Sequence, residues 1–171
     1  MAQNTTVIDY TMYEDSTEFI GLAQVTLPDL SFLTQTVSGS GLAGEIEVPI
    51  IGQMSAMEMS VQFLVRTDLT DMATTPVTHI WELREAQQVL AADSADTSVT
   101  TLKHVIKAVP KSSSGGTLKP ASTSDPDVTA SVVYWATYRD GEMVMELDPI
   151  NYICYINGED YLEPVRSALG K

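Results

Sequence analysis

Few side chains in this 171-residue chain have the type and spacing that chemistry needs: His79 and His104, the single cysteine Cys154, and the carboxylate pair Glu45 and Glu47. A nucleophile needs a base within hydrogen-bond reach, and the two histidines are the only candidates for that base. His79 falls near the start of a helical pattern and His104 on the apolar face of a strand pattern, so both read as structural. Cys154, flanked by Ile153 and Tyr155, reads as a small buried hydrophobe. One cysteine excludes an internal disulfide, and without a Cys/His cluster there is no zinc signature. Glu45 and Glu47 share one strand face, as paired acids would, but in a chain with 23 acidic residues such pairs arise by chance. The turn "GSGLAG" lacks both the lysine and the following helix of a phosphate loop. No catalytic set, cofactor or metal is therefore expected, and the chain does not read as an enzyme. Met57 and Met59, like Met143 and Met145, stand at i, i+2 on strand faces; they suit either core filling or a face that docks against neighbours.

The elements that must position these residues are those of one domain, residues 1–171. Length is enough to bury roughly two thirds of the unfolded surface. No apolar run approaches the ~20 residues that span a bilayer, so no membrane insertion is expected. Met1 to Asp15 is polar and acidic, unlike a secretion signal, which leads to an expectation of synthesis and assembly in the cytoplasm. The net charge of −14 opposes tight nucleic-acid binding, which relies on Lys and Arg against phosphates. Charge is unevenly spread: Arg66 is the first basic residue after eight carboxylates, whereas Val99 to Ser124 holds Lys103, Lys107, Lys111 and Lys119 and no acid. Such asymmetry reads either as uneven surface composition or as an acidic and a basic face of identical subunits that meet head to tail.

Periodicity predicts strands at Phe19–Leu27, Leu30–Val37 and Ser55–Arg66; in the last, Met57, Met59, Val61, Phe63 and Val65 share a face. Thr75 as N-cap and Pro76 at N1, followed by Val77, Ile80, Leu83, Ala86 and Leu90, predict a packed helix over Pro76–Ala91. Val99–Val109 returns to period 2. Lys111–Asp127 is a long polar loop rich in Ser, Gly and Pro. Ser131–Tyr138 and Met143–Leu147 form a hairpin through Asp140-Gly141, and Ile150–Ile156 adds a third strand. Glu163 with Pro164 at N1 starts a short C-terminal helix closed by Gly170; a start at Asp160 fits its capping-box spacing equally well. The fold class is α+β, mainly β: roughly seven strands in a twisted β-sandwich or partly closed barrel, one packed helix and a short C-terminal helix. The strand Ile150–Ile156 poses a problem, because neither of its faces is polar.

Several segments in order resemble the major tail tube proteins of contractile-tailed bacteriophages and phage-tail-like bacteriocins. These are "VTLPDL" (Val25–Leu30), "GSGLAGEIEVPI", "IWELREA" and the C-terminal "LDPIN" through Asn151, Asn157-Gly158, Asp160, Leu162, Arg166 and Leu169-Gly170. The Lys111–Asp127 loop has no counterpart in that pattern. The resemblance implies a structural subunit of a virion tail or tail-like particle. Six copies would form a ring, and rings would stack head to tail into a hollow tube for DNA or effector passage. Its partners would be further copies of itself, a contractile sheath protein, and baseplate and tube terminator proteins. On that reading Gly39, Gly41, Gly44, Glu45, Glu47 and Pro49 contact the adjacent ring, while Glu159, Asp160, Glu163 and Arg166 face the sheath. The second apolar face of Ile150–Ile156 would be covered partly by a neighbouring copy. The alternative is a monomeric β-sandwich binding module, which clustered aromatics on one face would favour; Tyr134, Trp135 and Tyr138 are instead divided between faces.

Overall fold

The computed structural model describes residues 2–20, 23–91 and 96–171. Its elements are β1 (Ala2–Glu14), β2 (Glu18–Phe19), β3 (Ala23–Thr26), β4 (Phe32–Val37), β5 (Ile46–Met54), β6 (Met57–Phe63), α1 (Asp68–Ala73), β7 (His79–Ala91), β8 (Thr97–Ser114), β9 (Asp127–Arg139), β10 (Glu142–Asp148), β11 (Ile153–Ile156), β12 (Glu159–Asp160) and α2 (Glu163–Leu169). The result is mainly β, as expected. A ten-stranded antiparallel sheet runs β12-β11-β10-β9-β8-β7-β1-β2, with β6 and β3 branching from β9, and it does not close into a barrel. Strands β4 and β5 form a separate two-stranded sheet.

Strand β9 is the branch point. Its whole length pairs with β8, while its other edge is shared: Asp127–Val132 faces β6 and Trp135–Arg139 faces β10. The β8–β9 register shifts twice, past Val133 of β9 and past Lys111 of β8, as at β-bulges. One apolar cluster forms the core, with Met12, Trp81, Ile106, Trp135, Leu147 and Met59 among its members. Strand β6 has the expected alternation, with Met57, Met59, Val61 and Phe63 inward and Glu58 and Gln62 outward. It ends at Phe63, so Val65, expected on the same face, is exposed.

The helix expected at Pro76–Ala91 is instead strand β7, paired with β1 on one side and β8 on the other. Its true period is 2: His79, Trp81 and Leu83 lie opposite Ala108, Ile106 and His104. The helical spacing of Val77, Ile80, Leu83 and Leu90 competes with that pattern. Packing between two long strands decides the outcome. The packed helix lies upstream as α1, whose N-cap is Thr67 in a capping box with Thr70; Thr70 and Ala73 are buried. The polar and acidic N-terminal residues, for which no strand is expected, form the long strand β1. Gly21 and Leu22, at the centre of the expected Phe19–Leu27 strand, lie outside the described residues; β2 and β3 flank them. The polar loop is shorter than expected, because β8 runs through Ser114.

The Asp140-Gly141 hairpin forms with positive φ at both residues (48° and 87°), the backbone of a two-residue turn matched to sheet twist. Strand β11 covers only Ile153–Ile156. Residues Pro149–Tyr152 form a turn in which the Asp148 carboxylate accepts from the backbone N–H groups of Ile150 and Asn151 and from the Asn151 amide. This turn explains half of the patterning problem: Ile150 and Tyr152 are not strand residues. The rest is real, since Cys154 is buried against Leu147 while Ile153 and Tyr155 on the opposite face remain half-exposed.

Candidate functional site

The histidines are built into the core. His79 Nδ1 donates to Glu14 at 2.7 Å, Trp81 Nε1 donates to the same carboxylate at 2.6 Å, and His79 Nε2 lies 3.1 Å from the Thr75 carbonyl. This network ties the end of β1 to the start of β7. His104 is also buried: its Nδ1 lies 3.0 Å from Thr137 Oγ1 and accepts from Trp135 Nε1, and Nε2 stands 3.6 Å from Glu85. Burial pushes the His104 imidazole below its ordinary pKa, against the opposing pull of Glu85. Cys154 is buried and burial raises its thiol, with Asp160 acting in the same direction. Neither histidine is brought to Cys154, and among the described residues no group of three His, Cys, Asp or Glu could hold a metal. Trp135 points into the core, while Tyr134 and Tyr138 lie on the outer face under Lys107 and Lys103.

The unusual surface is the arm formed by β4 and β5. Thr34 lies opposite Pro49, Gln35 opposite Val48, Thr36 opposite Glu47 and Val37 opposite Ile46, so the glycine-rich "SGSGLAG" is the connection at its tip. Gly41 uses φ of +100° there. Beyond its base the arm packs no core: Leu33, Val37, Leu42, Ile46, Val48, Ile50 and Ile51 are all exposed, and Met54 at the base is the β5 residue that packs on the core. Val37, Ile46, Val48 and Ile50 share one face of the paired ribbon, opposite the face of Thr34, Thr36 and Glu47, and a two-stranded ribbon with such an uncovered apolar face is not stable in isolation. Glu45 and Glu47 are exposed, and Glu47 accepts a hydrogen bond from Thr34. Gly39, Gly41, Gly44, Glu45, Glu47 and Pro49 thus lie together on the arm.

The arm is anchored at its base. Ser55 N–H donates to the Ser31 carbonyl at 2.8 Å, and Gly52, at φ +64°, sits directly against the side chain of Leu162. Leu162 belongs to the C-terminal segment, which is itself locked. The Asp160 carboxylate accepts from the Cys154 and Leu162 backbone N–H groups and pairs with Arg166 at 2.7 Å; Arg166 also donates to the Tyr152 carbonyl at 2.6 Å. Burial alone would raise the Asp160 pKa, but Arg166 and the two N–H donors outweigh it and lower it. Asp160 and Arg166 therefore face inward, whereas Glu159 and Glu163 are exposed. Helix α2 starts at Glu163 with proline in its first turn and ends at Gly170 in the left-handed conformation. The Asp160 carboxylate caps no helix; it staples the β11–β12 turn.

The sheet ends in open edges. On the side away from β7, only Tyr13 and Glu14 of β1 pair with another described strand, leaving most of a 13-residue edge unpaired. Val7 and Ile8 are exposed along it. The opposite end is closed only by the short β11 and β12. Long edges of this kind invite pairing with another chain.

The sequence profile of the family described as Phage tail tube protein FII matches residues 4–170. No curated protein matches the chain. Among solved structures, it is similar to a chain from "Cryo-EM Structure of an Extracellular Contractile Injection System, PVC sheath/tube terminator in extended state". The TM-score is 0.52 at 15% identity, covering 80% of this chain and 97% of the other. It is also similar to a chain from the PVC sheath-tube complex in extended state, with TM-score 0.50 at 16% identity, covering 78% and 90%. At such identities the likeness concerns the fold.

Proposed function

Because this chain belongs to the family of phage tail tube protein FII, a structural family, we propose that it builds the inner tube of a contractile tail as hexameric rings stacked head to tail. The observation that carries this reading is the arm: a ribbon with an exposed apolar face and no core of its own needs a neighbouring copy. In the proposal, the arm residues Gly39, Gly41, Gly44, Glu45, Glu47 and Pro49 contact the adjacent ring. The β1 edge of one copy pairs with the β10–β12 end of the next, which satisfies the unpaired backbone groups of both. Glu159 and Glu163 face a basic surface of the sheath, held in place by the Asp160–Arg166 lock. The half-exposed face of Ile153 and Tyr155 becomes buried in the ring.

A net charge of −14 suits a channel for DNA or effectors, since acidic walls repel phosphates and limit sticking. Assembly takes place in the bacterial cytoplasm, and the tube ends meet baseplate and terminator proteins. The role proposed is mechanical, without catalysis. Sedimentation of the purified chain over a range of concentrations tests the reading: rings and larger polymers should appear as concentration rises. A single monomeric species at every concentration would overturn it.

A further inference from the structure

Strand β6 separates two features that complement each other across copies of the chain. Beyond its C-terminal end, the loop of residues 115–126 is held by Thr117 N–H donating to the Ser124 carbonyl at 2.7 Å. The Ser124 and Asp125 N–H groups donate in turn to the Leu64 carbonyl at 3.0 and 3.2 Å. Gly116 takes φ +75°, and a Cβ on it would fall 1.9 Å from the Ser124 carbonyl oxygen, so only glycine lets the loop close. From this fixed loop Leu118 projects at 90% exposure, beside Lys119. At the other end of β6, the arm base and β11 enclose an apolar groove of about 390 Å³, lined by Phe32, Pro49, Ile50, Ile51, Ile156 and Tyr161. Ile51 is itself 68% exposed there.

Charge selects the same pair. Of the four lysines between Val99 and Ser124, Lys103 and Lys107 lie over Tyr138 and Tyr134 and Lys111 pairs with Glu58. Lys119 has no ion-pair partner among the described residues and is exposed. Glu47 is exposed two residues before Pro49 in the same strand, beside the groove. We propose that Leu118 of one copy seats in the groove at the arm base of a second copy, with Lys119 paired to Glu47. The proposal rests on the tube reading and deepens it by naming the segment that the arm base receives. A knob and a socket formed by different parts of the surface make a heterologous contact, which repeats from copy to copy without using up either surface.

Leu118→Asp and Lys119→Glu should each raise the protein concentration at which polymers form by about tenfold, as expected for losing a buried leucine or its flanking pair. Their melting temperatures as monomers should be unchanged. Adding Glu47→Lys to Lys119→Glu should restore most of the lost assembly. In a chain whose groove cysteine is removed by Cys154→Ser, Leu118→Cys together with Ile51→Cys should form covalent ladders in polymers under oxidation, with neither substitution alone doing so. Polymers that form normally in the Leu118 and Lys119 variants, with no ladders from the cysteine pair, would overturn the contact and leave the tube reading standing. A wild-type chain that stays monomeric would overturn both.

Discussion

Gly52 and Leu162 meet where the arm joins the body, so closely that a methyl group on Gly52 would lie 2.4 Å from Leu162 Cγ. The arm therefore takes its direction from the C-terminal segment, although the two are more than a hundred residues apart. Gly52→Ala adds both this clash and a strained positive φ, and should cost about 2 kcal/mol or more in denaturant unfolding. Leu162→Ala in the same background removes the clash, so the two losses should sum to more than the loss of the double variant. Strict additivity would show that the two residues do not press on each other.

Asp160 and Arg166 carry the lock beneath that junction. Asp160→Asn weakens two backbone acceptor bonds and the ion pair, leaving Arg166 half-buried without its counter-charge; the expected loss is about 2–4 kcal/mol in chemical denaturation. Removing the exposed Glu159 or Glu163 charge should change stability by roughly 0.5 kcal/mol or less. Equal losses at all three sites would contradict the inward placement of Asp160.

Acid should destabilise the fold in two windows. His104 has a lowered pKa when folded, so below about 6.5 the unfolded chain takes up a proton that the folded chain refuses, and stability falls as pH drops. Asp160 and Glu82 have lowered pKa values in the fold. For Glu82, burial opposes the shift and the contacts with Ser16 and Arg84 overcome it. Their contribution is full above the ordinary carboxylate range near ~4 and is lost as pH falls through it. Melting temperature should hold at neutral pH, decline below about 6.5 and fall more steeply below about 4. His104→Gln should flatten the upper decline only, and a wild-type profile flat down to the carboxylate range would contradict this assignment.

The arm's acids are expected to act in assembly and not in folding. Glu45→Lys with Glu47→Lys should leave the monomer's melting temperature within about 1 kcal/mol equivalent of wild type, since both side chains are exposed. The same pair should shorten or abolish polymers in electron micrographs. Polymers of undiminished length would place the inter-ring contact elsewhere.

Much of this was legible in the sequence, for physical reasons. Strand β6 has one face in the core and one in solvent, so its alternation is clean; the Asp140-Gly141 turn and the Glu163-Pro164 helix start are set by local backbone chemistry. Strand β7 was not legible, because the polar tip of His79 is satisfied by Glu14, a residue 65 positions away, and its inward position leaves no local mark. The Asp160–Arg166 pairing was hidden for the same reason: both are charged, and only the Cys154 and Tyr152 backbone groups that they bind show that they turn inward. The arm could be read as a turn between strands but not as a free ribbon, since nothing in "EIEVPI" distinguishes an apolar face covered by its own chain from one awaiting another.

The central claim is that the exposed arm and open sheet edges are completed by identical neighbours in a hollow tube. Cryo-electron microscopy of the concentrated, purified chain tests it most directly. Tubes of stacked six-fold rings, with the β4–β5 arm buried at the contact between rings, are the expected result. Particles that remain single subunits with the arm free in solvent, or assemblies in which the arm touches no other copy, would contradict it.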